Sequence, residues 1–260
     1  MSGPDSSLEG QVAVVTGARR GIGRAIALAF AQAGADVAVS DIIADDGELE
    51  SVAEQIRKLG RRALVIQTDV TRKADVDNLI ERTEKELGPV DILVNNAGIG
   101  SGTLLLDMEE EDWHKVLDTH LTAAYLCCRA VGKRMVERKK GNIINISSIE
   151  GIRTAFPIRQ GANPYPSAKA GIIMLTRGLA RELAPHNIRV NAIAPGYIKT
   201  PLLARGLGPG KIGEEWVKLT PMGRLGEPFE LKGLALFLAS KASSFMTGTT
   251  IIIDGGYTCW

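Results

Sequence analysis

The chain has 260 residues, 45% of them hydrophobic and 23% charged, enough to bury a full core in one large domain. Lys and Arg number 31 against 30 Asp and Glu, so no global field draws in nucleic acid or an anionic membrane, and neither is an expected partner. The opening "MSGPDSSLEG" lacks a signal-peptide pattern, no stretch approaches the roughly 18 uninterrupted apolar residues of a membrane helix, and the three cysteines form no disulfide framework; a cytoplasmic protein is expected.

Residues 1–8 read as a loose tail and 9–260 as one domain. A first apolar run, "QVAVVT" (11–16), leads into "TGARRGIGRA". There Gly17, Gly21 and Gly23, with Arg20 and Ile22 between them, let the backbone turn tightly and approach a pyrophosphate at the start of the next helix. The second run, "DVAVSD", ends at Asp41, placed to accept hydrogen bonds from a ribose 2′-OH and to repel a 2′-phosphate, which favours NAD over NADP. Arg20 pulls the other way, since a guanidinium there can grip a 2′-phosphate. The third run, "ALVIQTD", brings Asp69 and Val70 to the same edge, and the fourth, "DILVNNAG", brings Asn96, Ala97 and Gly98.

A long helical stretch (109–138), "NIINISS", a helix over 165–184, "IRVNAIAPG", an irregular polar stretch (201–223), a helix over 228–239 and "GTTIIIDGG" complete the pattern. About seven continuous apolar runs alternating with helices indicate an α/β fold with one doubly wound parallel sheet, covered by helices on both faces. Ligands of such sheets bind outside the carboxyl ends of the strands, where these residues fall. His114, His120 and His186 have no Cys or His partner at a zinc-site spacing, so no metal is expected.

With "TGARRGIG" (16–23), "NNAG" (95–98), "NISSIEG" (145–151), "YPSAK" (165–169) and "PGYIKT" (195–200), the chain resembles the classical short-chain dehydrogenase/reductase family over nearly its whole length. The resemblance implies a Rossmann-type fold, nicotinamide-dependent interconversion of an alcohol and a carbonyl, and a homotetramer pairing through the helices of 109–138 and 165–184 and near the last strand. It implies Tyr165 as acid/base, Lys169 as its partner and Ser148 as the substrate-orienting hydroxyl, with Ser147 the competing candidate. Asp69 becomes an adenine contact and Thr200 a carboxamide contact; Pro195, Gly196 and Ile198 join the cofactor-binding set with Tyr165 and Lys169. Where the family commonly carries an asparagine that helps hold a relay water, this chain has His120.

The chemistry of the pair also stands by itself. A phenol of reference pKa about 10 is a poor base, and a nearby ammonium favours its ionised form. Residues four apart share a helix face, which sets Lys169 beside Tyr165. Pro166 suits a first helical turn and biases Tyr165 away from helical geometry, toward the cleft. His120 can donate and accept as an amide does, but with a reference pKa of about 6.5 it would also titrate near neutrality.

Specificity is expected in 151–164, where Arg153 and Arg159 are candidates for an anionic substrate, and in 201–223, read as a mobile flap. Tyr257 and Trp260 are candidates for burial against a neighbouring subunit or on their own domain. The leading reading is an NAD-dependent oxidoreductase of a secondary alcohol or polyol and its ketone. Its alternatives are an NADPH-dependent 3-oxoacyl-thioester reductase and a nucleotide-binding protein without catalysis.

Overall fold

The computed structural model describes residues 6–100, 105–153, 164–206 and 212–260. Strands β1 (Val12–Thr16), β2 (Asp36–Asp41), β3 (Ala63–Gln67), β4 (Ile92–Asn95), β5 (Gly141–Ile146), β6 (Ile188–Pro195) and β7 (Thr250–Ile253) form one seven-stranded sheet in the order β3-β2-β1-β4-β5-β6-β7. Every neighbouring pair is parallel. The connections carry α1 (Gly21–Gln32), α2 (Glu48–Lys58), α3 (Lys73–Glu86), α4 (Glu110–Leu117), α5 (Ala123–Arg138), α6 (Pro164–Leu183), α7 (Pro201–Gly206), α8 (Ile212–Leu219) and α9 (Lys232–Ala239).

Successive strand residues point to opposite faces, and each face has its own core. Ala13, Val15, Val37, Val39 and Ile92 pack with Ile26 and Phe30 of α1, Val52 and Ile56 of α2 and Leu238 of α9. Val12, Val14, Ala38 and Leu93 pack on the other side with Leu79 and Ile80 of α3, Val131 and Met135 of α5 and Leu183 of α6. Burial on both faces is why the strands read as continuous rather than alternating apolar runs. The strand order reverses between β1 and β4, which opens the crevice at their carboxyl ends.

Four local expectations change. Leu8, assigned to the tail, is fully buried: its side chain packs into the first core layer and its N–H donates to Ala33 O at 2.8 Å. The helix of 109–138 is interrupted by a π-helical turn, Asp118–Thr122, which carries His120. Such wide turns concentrate at functional sites. α6 begins at Pro164, one residue ahead of the expected start, so Tyr165 is helical rather than biased out of helical geometry by Pro166; Pro164 and Pro166 occupy a first turn whose N–H groups have no intrahelical acceptor, so neither proline removes a bond. The stretch 201–223 contains α7 and α8, and Trp216 of α8 is buried in a cluster with Ile149, Tyr197 and Tyr257. Residues 154–163, with Arg159, and 207–211 lie outside the described residues. Among the described residues no helix is long and apolar enough to cross a membrane.

Candidate active site

The glycine turn is a backbone cradle that side chains would fill. Gly17 and Gly21 have positive φ, +64° and +57°, and a Cβ on Gly17 would stand 2.8 Å from Ala97 Cα. A Cβ on Gly23 would collide with Gly17 O. Asn96 braces the turn: its Nδ2 donates to Thr16 O and to Gly17 O, both at 3.0 Å. Thr16 Oγ1 in turn accepts from Asn96 N at 3.0 Å and Ala97 N at 3.1 Å. Arg20 caps α1 without a side-chain hydrogen bond, leaving first-turn N–H groups for an anion. These residues fit a dinucleotide pyrophosphate.

At the end of β2, Asp41 Oδ1 accepts from Ile43 N at 3.1 Å and lies 3.5 Å from Arg19 Nε. Arg19 also pairs with Asp46 and, at 3.1 Å, with Glu48. Sequence reasoning chose Arg20 and missed Arg19; only packing buries Arg19, to 6% exposure, among three carboxylates. Arg20 forms no ion pair with a described residue. Asp69 accepts from Thr71 N at 3.0 Å and Thr71 Oγ1 at 2.6 Å, and it borders a surface concavity with Ile42 and Gln67. Val70 is buried beside the β1–β4 crevice. Thr200, whose Oγ1 accepts from Leu203 N at 3.2 Å, faces the glycine turn: a Cβ on Gly21 would stand 3.2 Å from its Cγ2. Pro195 and Gly196 end β6, where a Cβ on Gly196 would press on Asp254 Cα at 2.7 Å, and Ile198 is buried against the first core layer.

Ser147 and Ser148 separate by direction. Ser147 Oγ turns inward and donates to Lys169 O at 2.9 Å, whereas Ser148 lies beside the Tyr165 hydroxyl and its Oγ accepts from Glu150 N at 3.1 Å. Lys169 is buried, with Nζ 5.4 Å from the centroid of the Tyr165 ring, and donates to Ile146 O at 2.8 Å. Tyr165 is only partly buried as a residue, yet dense surroundings desolvate its hydroxyl. Burial, and then the Glu150 carboxylate, push this phenol above its ordinary range, while Ser148 pulls it back. Lys169 is pushed down to about 7 by burial, with Glu150 opposing. The expected lowering of the phenol by Lys169 is therefore not what this arrangement produces: desolvation outweighs an ammonium that burial itself disfavours and that is aimed at Ile146.

His120 is 3% exposed, and its ring stands edge-on to Tyr165, centroids 5.2 Å apart at 88°. Nε2 lies 2.8 Å from Ile99 O and 3.2 Å from Ile99 N. Burial, with Lys169 adding, holds the imidazole down to about 3, so it stays neutral and does not titrate near 6.5 as its type suggested. Its Nδ1 is buried and has no partner among the described residues, and the same holds for Asn95 Oδ1. Both residues line a cavity of about 10 Å³ together with Lys169, Thr16 and Cys127, room for about one water.

Three further residues escaped sequence reasoning. Glu150, two positions after Ser148, is pushed up to about 7 by burial. Tyr197 stacks on Trp216 at 4.2 Å and meets Tyr257 edge-on at 5.0 Å. Glu150 and Tyr197 stood within the quoted motifs; Trp216 gave no local signal. Arg153 sits over the Tyr257 ring at 5.7 Å and donates to Trp260 O, so it is engaged at the C-terminus. Tyr257 is 2% exposed on its own domain, whereas Trp260 is 69% exposed.

A family model described as enoyl-(acyl carrier protein) reductase matches residues 17–258. The chain is 40% identical over 251 residues to 5-keto-D-gluconate 5-reductase of Escherichia coli K12, covering 96% of each. It is 40% identical over 254 residues to the 3-oxoacyl-[acyl-carrier-protein] reductase FabG of Chlamydia pneumoniae, covering 98% of this chain and 99% of that one. Its structure is similar to that of a gluconate 5-dehydrogenase from Burkholderia cenocepacia in complex with NADP and tartrate, with a TM-score of 0.90, 36% identity and 98% of each chain covered.

Proposed function

The chain belongs to the classical short-chain dehydrogenase/reductase family, an oxidoreductase of CH–OH groups using a nicotinamide dinucleotide, and we propose that Tyr165, Lys169, Ser148 and His120 carry its chemistry on a secondary alcohol or polyol and the matching ketone. The observation that supports this most is the convergence of Tyr165, Ser148 and Lys169 at the carboxyl edge of β5, beside a glycine cradle at the edge of β1. When bound, the nicotinamide supplies or accepts hydride. Tyr165 donates its hydroxyl proton to the carbonyl oxygen in reduction and takes the alcohol proton in oxidation, while Ser148 orients that oxygen. The raised phenol stays protonated and so holds the proton that reduction requires; in the oxidative direction Ser148 and Lys169 favour its ionised form. Lys169 lies beside Tyr165 and lines the small cavity, where a water held by His120 Nδ1 would pass the proton on.

The proposed cofactor is NAD(H). Asp41, Asp46 and Glu48 around Arg19 leave a surplus of negative charge at the end of β2, which opposes a 2′-phosphate. The related structure with NADP and the unpaired Arg20 support the other preference, and with the FabG relative they carry the second reading, an NADPH-dependent 3-oxoacyl-thioester reductase. The test is a turnover panel of polyols, hydroxy acids, secondary alcohols, their ketones and 3-oxoacyl thioesters, each with both dinucleotides. Selective reduction of 3-oxoacyl thioesters with NADPH would replace the first reading by the second.

The same reading has a cytoplasmic homotetramer of one-domain subunits. Tyr125 on α5, Met174 on α6, Ile252 on β7 and Trp260 are exposed apolar residues on the elements expected to pair, which supports it. Sedimentation at micromolar concentration checks the assembly.

A further inference from the structure

Three residues that the sequence singles out, Arg153, Tyr257 and Trp260, meet at one place with no task in hydride or proton transfer. Ser148 opens a tight turn: Gly151 N donates to Ser148 O at 3.0 Å, Ile152 N and Arg153 N donate to Ile149 O at 2.9 and 3.0 Å, and Glu150 N donates to Ser148 Oγ at 3.1 Å. The inner side of this turn is fixed twice. A Cβ on Gly151 would stand 2.6 Å from the Lys169 carbonyl carbon, so the turn presses on α6, and Ile149 is buried in one cluster with Tyr197, Trp216 and Tyr257. The outer end has no apolar anchor of its own, since Ile152 is 47% exposed. There Arg153 donates to Trp260 O and sets its guanidinium 5.7 Å from the centre of the Tyr257 ring.

The segment that Arg153 grips is itself firmly held. After β7 the chain folds back on Asp254, whose Oδ1 accepts from Gly256 N at 2.9 Å and whose Oδ2 accepts from Thr258 N at 2.8 Å and Thr258 Oγ1 at 2.7 Å. Cys259 N donates to Gly256 O at 3.0 Å, and a Cβ on Gly256 would stand 2.9 Å from Pro221 Cγ, so this segment also packs on the chain after α8. The buried Tyr257 ring meets Tyr197 edge-on at 5.0 Å, which holds its plane for a cation on its face.

A guanidinium is planar, with five donors and no acceptor, so it can seat on a ring face and still donate to a carbonyl. Here both are spent on the protein rather than on a ligand. We propose that Arg153 is a positioning residue that acts through Ser148: it clamps the outer end of the Ser148 turn to residues 257–260 and so fixes the direction in which the serine hydroxyl meets the substrate oxygen. The clamp rests on the reading of Ser148 as the substrate-orienting hydroxyl. The backbone bonds from Ser148 to Arg153 belong to one turn, so slack at its outer end reaches the hydroxyl. The leverage is geometric, since a misplacement of about 1 Å caused by a change away from the chemistry can cost on the order of a hundredfold in rate.

The full-length protein tests this with the most rapidly oxidised neutral alcohol and hydroxy acid of the turnover panel, in the wild type, Ser148→Ala, Arg153→Ala, Arg153→Lys and the variant carrying both alanines. Arg153→Ala should lower kcat by about tenfold on both substrates while dinucleotide affinity and melting temperature stay near wild type. Arg153→Lys, which keeps a cation for the ring and a donor for the carbonyl, should restore much of that loss. In the Ser148→Ala background, Arg153→Ala should cost almost nothing further, because a residue that acts through Ser148 has nothing left to align. Equal losses in both backgrounds, or a matching loss of dinucleotide affinity, would overturn the clamp in favour of a merely structural role. A loss confined to the hydroxy acid would overturn it too, and make Arg153 a ligand of the substrate carboxylate. Wild-type kcat in Ser148→Ala would remove the serine's role and the clamp with it, leaving the oxidoreductase reading in place. Absence of turnover with every alcohol and carbonyl of the panel, with both dinucleotides, would sink that reading and the clamp together.

Discussion

Lys169 holds its ammonium 5.4 Å from the centre of the Tyr165 ring and spends its hydrogen bond on Ile146 O at 2.8 Å, so it supports the phenol at a distance rather than by a direct bond. Tyr165→Phe should therefore remove turnover, by roughly a hundredfold or more as expected for a lost general acid, while dinucleotide affinity stays near wild type. Lys169→Ala should reduce both, because its ammonium is also proposed to donate to a ribose hydroxyl of the dinucleotide. Stopped-flow turnover with fluorescence titration of NADH separates the two effects, and a Tyr165→Phe enzyme that keeps most of its activity would assign the proton to another group.

The negative surplus at the end of β2 makes cofactor choice measurable. NAD(H) should bind more tightly than NADP(H), and Asp41→Ala should narrow the gap by about tenfold through lost ribose hydrogen bonds. Arg20→Ala should weaken NADP(H) more than NAD(H). Calorimetric titration of both dinucleotides decides, and tighter NADPH binding by the unmutated chain refutes the NAD preference.

His120 is held neutral down to about pH 3 by burial, so the rate profile should show no inflection from it near pH 6.5. His120→Ala should lower kcat by about tenfold with little change in NAD affinity, and His120→Asn should restore much of it by supplying an amide in place of the imidazole. Wild-type kcat in His120→Ala would show that the relay water is held by other groups.

Glu150 and stability are linked through pH. Its folded pKa of about 7 stands above the ordinary carboxyl value of 4.5, with burial the main cause and Tyr197 and Lys169 the opposing neighbours. The folded state thus binds the extra proton, and this contribution is present below pH 4.5 and lost as pH rises through 7. Glu150→Gln, which cannot ionise, should melt a few degrees above wild type at pH 8, roughly 2–4 °C per kcal/mol in a chain of this size, with the gap closing toward pH 4.5. Equal melting curves at pH 8 would mean that Glu150 is solvated and charged at no cost.

Much of this protein is legible along the chain. Parallel strands covered on both faces must be continuous apolar runs of about five residues, so the run at 11–16 and its successors place the sheet from local pattern alone. The positive φ of Gly17 and Gly21 and the four-residue step from Tyr165 to Lys169 are short-range requirements, met by residues that stand next to one another. What only the tertiary structure decided are the properties set by neighbours distant in sequence. His120 is neutral because packing desolvates it and brings Lys169 near, against the pull of its Ile99 hydrogen bond, Arg19 rather than Arg20 meets Asp41 because α2 brings Glu48 to it, and Glu150 lies near Tyr197 because β5 and β6 end side by side. Ionisation depends on desolvation and on charges arriving from other elements, and a one-dimensional spacing contains neither.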